Sequence, residues 1–202
     1  MSVIEVLLEE EAIQLSPEKK FTWASGIQSP IYCDNRLLIS SPKSRNYVID
    51  KFVDLIQKKY SEVECIAGTA TAGIPHAAWI ADRLGLPMVY VRGKAKAHGK
   101  TNQVEGRLRK GQKVLLIEDL ISTGGSSISA VEALKGEEVE VQAVLAIFSY
   151  GLPISKKRFS ETDLNYESLG DFDELLDFSV KKKHFDKEVA KNLLDWRNSL
   201  ST

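Results

Sequence analysis

The stretch from Val114 to Ser127 reads Val-Leu-Leu-Ile-Glu-Asp-Leu-Ile-Ser-Thr-Gly-Gly-Ser-Ser. An apolar strand runs into two adjacent carboxylates, Glu118 and Asp119, and then into a turn rich in hydroxyls and glycine. In an open parallel sheet, ligands bind beyond the carboxyl ends of strands. A turn of this composition offers backbone N–H groups, and the hydroxyls of Ser122, Thr123, Ser126 and Ser127, at the start of a helix. That arrangement cradles a phosphate. Gly124 and Gly125 let the backbone approach without an intervening side chain. A phosphate alone gains nothing from paired negative charges beside it. A sugar phosphate does, because carboxylates accept hydrogen bonds from ribose hydroxyls and stabilise positive charge on the ring. No Gly-Lys-Ser/Thr follows, so this is not a nucleotide-triphosphate loop, and the Gly-x-Gly-x-x-Gly of dinucleotide folds is missing.

A second chemical signal is charge. Between Arg92 and Lys110 there are seven basic residues and one acid, Glu105, about +6 in a chain of net charge −1. A basic stretch in an otherwise acidic protein suits a small polyanion. It gives no broad basic face for nucleic acid. Residues 92–106 lack periodicity, contain Gly93, Gly99 and Gly106, and read as a long mobile loop.

The elements that must position these groups alternate. Strands are expected at 63–67, 86–91, 114–117 and 139–148, and helices from Ser41-Pro42, over 74–84 and over 125–134. Ser41 reads as an N-cap, with Pro42 in the first turn. Alternation of this kind argues for a parallel sheet covered by helices on both faces. Residues 1–35 and 150–180 fit less well and read as a small cap (hood) over a core of about 40–148. Ser2 with Glu5, and Asp171 with Glu174, read as capping boxes. Asp186 to Leu200 reads as a closing helix with Val189, Leu193 and Trp196 on one face.

With 202 residues, 43% hydrophobic and 27% charged, the chain suits a single domain, 1–202. No apolar run reaches the ~18 residues of a membrane span, and acidic residues interrupt the N-terminal apolar run, unlike a signal peptide. Cys33 and Cys65 fit neither a zinc site nor a redox pair, and read as buried thiols of a cytoplasmic protein. Trp23, Trp79 and Trp196 read as packing residues, and His76 and His184 as structural or surface residues.

The 114–127 stretch resembles the signature of the type I phosphoribosyltransferases, which bind phosphoribosyl pyrophosphate. Three more stretches resemble the orotate phosphoribosyltransferases within them: Phe21-Thr-Trp-Ala-Ser-Gly-Ile-Gln-Ser-Pro-Ile-Tyr-Cys-Asp34; Arg92-Gly-Lys-Ala-Lys-Ala-His-Gly99 running on to Gly106; and Gly68-Thr-Ala-Thr-Ala-Gly73. The resemblance covers roughly residues 15–155. It implies transfer of phosphoribose to N1 of orotate. Glu118 and Asp119 would bind the ribose hydroxyls. Leu120, Ile121, Ser122, Thr123, Gly124, Gly125 and Ser126 would surround the 5′-phosphate. Arg92, Lys94, Lys96 and His98 would meet the pyrophosphate. Orotate would lie near Ser122, Ser25, Gly26 and Tyr32.

The resemblance also implies magnesium, held mainly by the substrate's pyrophosphate and ribose with no protein ligand set of its own. It further implies a cis peptide at Ala70–Thr71, and a homodimer whose catalytic loops cross into the partner's site. No nucleic acid or membrane partner is expected. Some relatives have lysines where this chain has Ala24, Ala72 and Gly93, and an arginine at the place of Tyr150. Transfer to another base, or a ligand-binding regulator on the same fold, are the competing readings.

Overall fold

The computed structural model describes residues 1–16, 20–23, 26–93, 103–162 and 164–200. The chain begins with α1 (Val3–Glu9), then four short strands, β1 (Ile13–Leu15), β2 (Phe21–Thr22), β3 (Gln28–Ser29) and β4 (Ile31–Cys33). A 3-10 turn over Asn35–Ser40 leads into α2 (Pro42–Lys59). The alternating part follows: β5 (Cys65–Thr69), α3 (Gly73–Leu84), β6 (Met88–Val91), β7 (Val104–Glu105), β8 (Lys113–Ile121), α4 (Gly125–Lys135) and β9 (Glu140–Ser149). The chain closes with α5 (Pro153–Ser160), β10 (Tyr166–Asp171), α6 (Phe172–Lys181) and α7 (Lys187–Ser199).

Six strands form one sheet in the order β10-β9-β8-β5-β6-β7, parallel except for the edge pairing of β6 with β7. Successive residues of β8 and β9 face opposite sides. Leu115, Ile117, Ala143, Leu145 and Ile147 pack with α2 and α3 residues such as Phe52 and Ile80. Val114, Leu116, Val144 and Ala146 pack with Ala130, Val131 and Leu134 of α4. Both faces are dry, so the central strands read as continuous apolar runs rather than alternating ones. This is the α/β architecture expected from the sequence.

Several boundaries differ from expectation. β8 does not stop at Ile117 but runs to Ile121, because Glu118, Leu120 and Ile121 keep their register against Ala146, Phe148 and Ser149 of β9. The segment expected as part of the cap, 150–180, is divided. Its residues 166–171 form the sheet's edge strand β10, parallel to β9. The 92–106 stretch ends in a strand, not a loop: Val104 and Glu105 pair with Val91 and Tyr90. Arg92 N–H donates to the Gln103 carbonyl (2.9 Å) and Gln103 Nε2 returns a bond to the Arg92 carbonyl (2.8 Å). Most of the expected mobile loop, 94–102, lies outside the described residues.

The caps behave unevenly. Ser2 and Asp171 accept N–H bonds from Glu5 and Glu174 as expected. Ser41 is the N-cap of α2, with Pro42 in the first turn as expected, but its hydroxyl makes no cap bond and instead donates to Glu10 Oε1 (2.7 Å), tying α2 to the C-cap of α1. A charged acceptor makes the stronger hydrogen bond.

The small strands pair off separately, β1 with β4 and β2 with β3, both antiparallel. They bring Tyr32 and Cys33 against the carboxyl ends of β8 and β9.

Candidate active site

The carboxylate pair sits where β8 outlives its neighbour. The pairing of β5 with β8 ends at Gly68–Ile117. Past that point the backbone of β8 is paired on the β9 side only. The buried Asn35 fills the place of the missing strand, donating from Nδ2 to the Asp119 carbonyl at 2.7 Å. Its Oδ1 accepts from Cys33 Sγ at 3.3 Å. An unpaired buried carbonyl costs roughly 1–3 kcal/mol, so the Asn35 amide fixes the strand end that presents Asp119.

Glu118 is buried, with 4% of its surface exposed, and its carboxylate is held from one side. Oε2 accepts from Ser126 Oγ (3.3 Å) and Ser127 Oγ (3.1 Å), and Oε1 from the Asp119 N–H (3.2 Å). Burial, then the neighbouring charge of Asp119, raise the Glu118 pKa. Burial also raises that of Asp119. Two desolvated carboxyls side by side are an unfavourable pair until donors or cations arrive to stabilise their charge.

The turn after β8 carries the features expected of a phosphate cradle. Gly124 has φ +79 and ends the turn in the left-handed region, with Phe159 packed beneath it. No side chain caps α4, which leaves first-turn N–H groups for a ligand. Arg158 of α5 clamps the turn from behind, donating from Nη1 to the Thr123 carbonyl at 3.0 Å. Ile121 is buried, its carbonyl accepting from Tyr150 N–H at 3.0 Å.

Across the cleft stands the loop between β5 and α3. Its Ala70–Thr71 peptide is cis, as the resemblance implied. Gly73 is pressed against β8, where an added Cβ would lie 2.5 Å from the Ile117 carbonyl oxygen. No side chain fits there, so α3 starts close to the carboxylates. The resulting cleft, about 370 Å³, is lined by this loop, by Glu118, Asp119, Leu120 and Ser126, and by the Cys33–Arg36 segment.

A second cavity of about 310 Å³ adjoins it, sharing Cys33 and Leu120. Its walls are Trp23, Tyr32, Tyr150, Ser122 and Thr123. Trp23 stacks on Tyr150 with centroids 4.4 Å apart, and Trp196 of α7 meets Trp23 edge-on at 6.0 Å. Trp23 Nε1 donates to the Ile31 carbonyl (2.9 Å), which fixes the ring. A flat aromatic ligand fits such a slot. Burial drives the Tyr150 hydroxyl and the Cys33 thiol to raised pKa values, so both stay neutral.

Of the residues expected at the site, Glu118, Asp119, Leu120 and Ser126 line the cleft, and Ser122, Thr123 and Tyr32 line the aromatic cavity. Gly124 and Gly125 form the turn and helix start between them. Gly26, at φ +85, turns the β2–β3 hairpin. Arg92 follows β6, with Nη1 3.6 Å from Glu105, and lines neither cavity. Ser25, Lys94, Lys96 and His98 lie outside the described residues, as does Ala24.

The sequence missed Asn35, Arg158 and the site role of Trp23, which was expected only to pack. His76 is fully buried, as a structural residue would be. Nothing in the periodicity marked Asn35 or Arg158; the Trp23-to-Arg36 segment, dense in aromatic and polar residues where a strand should alternate, was the available signal.

The donor set suits a hard cation that arrives with its ligand. Carboxylate oxygens are what magnesium takes. No group of three or more potential ligands gathers among the described residues.

Residues 40–180 match the family model described as the phosphoribosyl transferase domain. The chain is similar to orotate phosphoribosyltransferases of Listeria innocua (52% identical, 98% of this chain and 94% of that one) and Fusobacterium nucleatum (52%, 98% and 95%). Among solved structures it is similar to the orotate phosphoribosyltransferase of Aeropyrum pernix, with a TM-score of 0.78 at 27% identity over 87% of this chain and 97% of that one.

Proposed function

The chain belongs to the phosphoribosyl transferase family, among the orotate phosphoribosyltransferases, and on that premise we infer how its residues move phosphoribose from phosphoribosyl pyrophosphate to N1 of orotate. The products are orotidine 5′-phosphate and pyrophosphate, a step of pyrimidine biosynthesis. The observation that carries the reading is the adjacent pair of buried Glu118 and half-buried Asp119 at the open end of β8, between the turn that starts α4 and an aromatic slot.

In this reading residues 1–202 act as one domain. The N–H groups and hydroxyls of 122–126 hold the 5′-phosphate. Glu118 and Asp119 accept hydrogen bonds from the ribose hydroxyls, which stabilises their charged forms, and they face the positive charge that develops at C1′. Orotate lies in the aromatic slot beside Tyr32 and Ser122, with Ser25 and Gly26 nearby. Arg92, Lys94, Lys96 and His98 meet the charge gathering on the departing pyrophosphate. Magnesium, bound by the substrate's own oxygens, supplies further neutralisation of that charge. Orotate arrives as an anion, so no strong general base is needed. Catalysis rests on positioning and electrostatics.

The enzyme is cytoplasmic in this reading. No described helix is long and apolar enough to cross a membrane. It works as a homodimer with shared sites. Leu37 and Ile39, exposed by 41% and 36% on the turn beside the cleft, supply apolar surface for a second copy.

Loss of orotate absorbance on mixing with phosphoribosyl pyrophosphate and magnesium tests the activity, and consumption of a purine instead would overturn the base assignment. Complementation tests the assembly. Lys96→Ala and Asp119→Asn should each be nearly inactive, yet refolded together they should recover about a quarter of wild-type activity, because about half the dimers are mixed with one working site each. Recovery no greater than the sum of the two, with mixed dimers confirmed by mass, would mean that each loop serves its own subunit.

A further inference from the structure

The cleft that takes the sugar phosphate is lined by three carboxylates, Asp34, Glu118 and Asp119, and among its described lining residues by one cation, Arg36. An anionic substrate is repelled by such a lining unless a positive group faces it. The wall opposite, Ala70 to Ala72, brings no charge.

Arg36 is set up for that task. Its Nε donates to Asp34 Oδ1 at 2.6 Å and its Nη2 to Asp34 Oδ2 at 2.7 Å. The two bonds fix the guanidinium plane. Nη1 makes no hydrogen bond with the described residues, and the side chain is 62% exposed, so its free donors stand at the mouth of the cleft. The charge of Arg36 also reaches Asp119 across the opening, where it favours the ionised carboxylate. Asp34 is held low by the same guanidinium and stays charged.

We propose that Arg36 is a substrate-binding residue and Asp34 its positioning partner: Nη1 donates to the pyrophosphate end of the donor substrate while Nε and Nη2 remain on Asp34. The proposal rests on the reading of the cleft as the phosphoribosyl pyrophosphate site. The pyrophosphate is chosen over the orotate carboxylate because Arg36 lines the cleft shared with Ala70–Ala72 and Ser126, and not the aromatic cavity. A residue so placed is not visible from spacing alone, since Asp-Asn-Arg reads as an ordinary polar turn.

The test is calorimetric titration of wild type, Arg36→Ala and Arg36→Lys with inorganic pyrophosphate and magnesium, alongside steady-state kinetics with each substrate varied. Arg36→Ala should weaken pyrophosphate binding and raise KM for phosphoribosyl pyrophosphate by roughly tenfold, the range of one charge-assisted contact at an exposed site. KM for orotate should stay within about twofold. Arg36→Lys should recover part of the loss, keeping charge without the planar fork. Unchanged pyrophosphate affinity in Arg36→Ala, or a shift in KM confined to orotate, would overturn the assignment. The pyrophosphate arm decides the role of Arg36 even if wild type fails to consume orotate, the result that would instead count against the base assignment.

Discussion

The cleft takes much of its chemistry from ten consecutive residues, 118–127, whereas the aromatic cavity joins Ser122 of that run to Trp23 and Tyr32 of the N-terminal segment and to Tyr150 after β9, with Trp196 behind them. In the cleft the side-chain partners of Glu118 are local, Ser126 and Ser127, eight and nine residues away, while Asn35 holds the Asp119 carbonyl from farther off. In the cavity they are distant: Trp23 lies on Tyr150, and Trp196 Nε1 donates to the Gln28 carbonyl at 3.1 Å across the chain. The difference separates two tasks. A strand end followed by a helix start places carboxylates and N–H donors largely by local backbone geometry, with Asn35 holding the strand end. A slot for a flat base needs walls on both sides, which one strand-turn-helix unit does not supply.

If that division holds, the largest effects come from the cleft. Asp119→Asn should lower kcat/KM by ~10²-fold or more, and Glu118→Gln by less, since removing a group aimed at a transition-state charge costs a few kcal/mol. Steady-state kinetics on variants with intact circular dichroism would show it, and wild-type values for both would move the ribose site elsewhere.

A smaller and more selective effect is expected in the cavity. Trp23→Leu should raise KM for orotate by about tenfold, because an aromatic platform under a base is worth roughly 1–3 kcal/mol. KM for phosphoribosyl pyrophosphate should hardly move. Equal loss for both substrates would mean that the two regions are one energetic unit.

The smallest effect concerns pH. The pKa of Glu118 is raised in the fold by burial and by Asp119. A carboxyl whose folded pKa lies above its unfolded value opposes folding once it would otherwise ionise. Wild type should therefore lose stability relative to Glu118→Gln as pH rises above about 4.5, with the gap levelling off beyond the raised folded value. Melting temperatures of the two proteins should separate by a few degrees between mildly acidic and neutral pH, about 2–4 °C for each kcal/mol. Parallel curves would mean that the serine hydroxyls offset the burial cost in full.

The central alternation of strands and helices was legible because each element carries its own period or apolar run, and the carboxylate pair was legible because its cradle follows it directly in the chain. Residues 166–171 were not readable as a sheet strand. They have no apolar run, and only their partner β9 gives them a ladder. Ser41 was readable as the N-cap of α2, but not that its hydroxyl turns away to the charged acceptor Glu10.

By itself, then, the sequence determined the order of the central elements and the adjacency of Glu118 and Asp119 to a hydroxyl- and glycine-rich turn at a helix start, all matters of neighbours along the chain. Tertiary structure alone decided that Asn35 replaces a missing strand at Asp119, that Arg158 clamps Thr123, and that Trp23 meets Tyr150 to wall a slot. Each of those contacts joins residues 35 to 127 positions apart. Sequence periodicity reports only which face a residue presents; which distant group meets that face is set by how the layers pack.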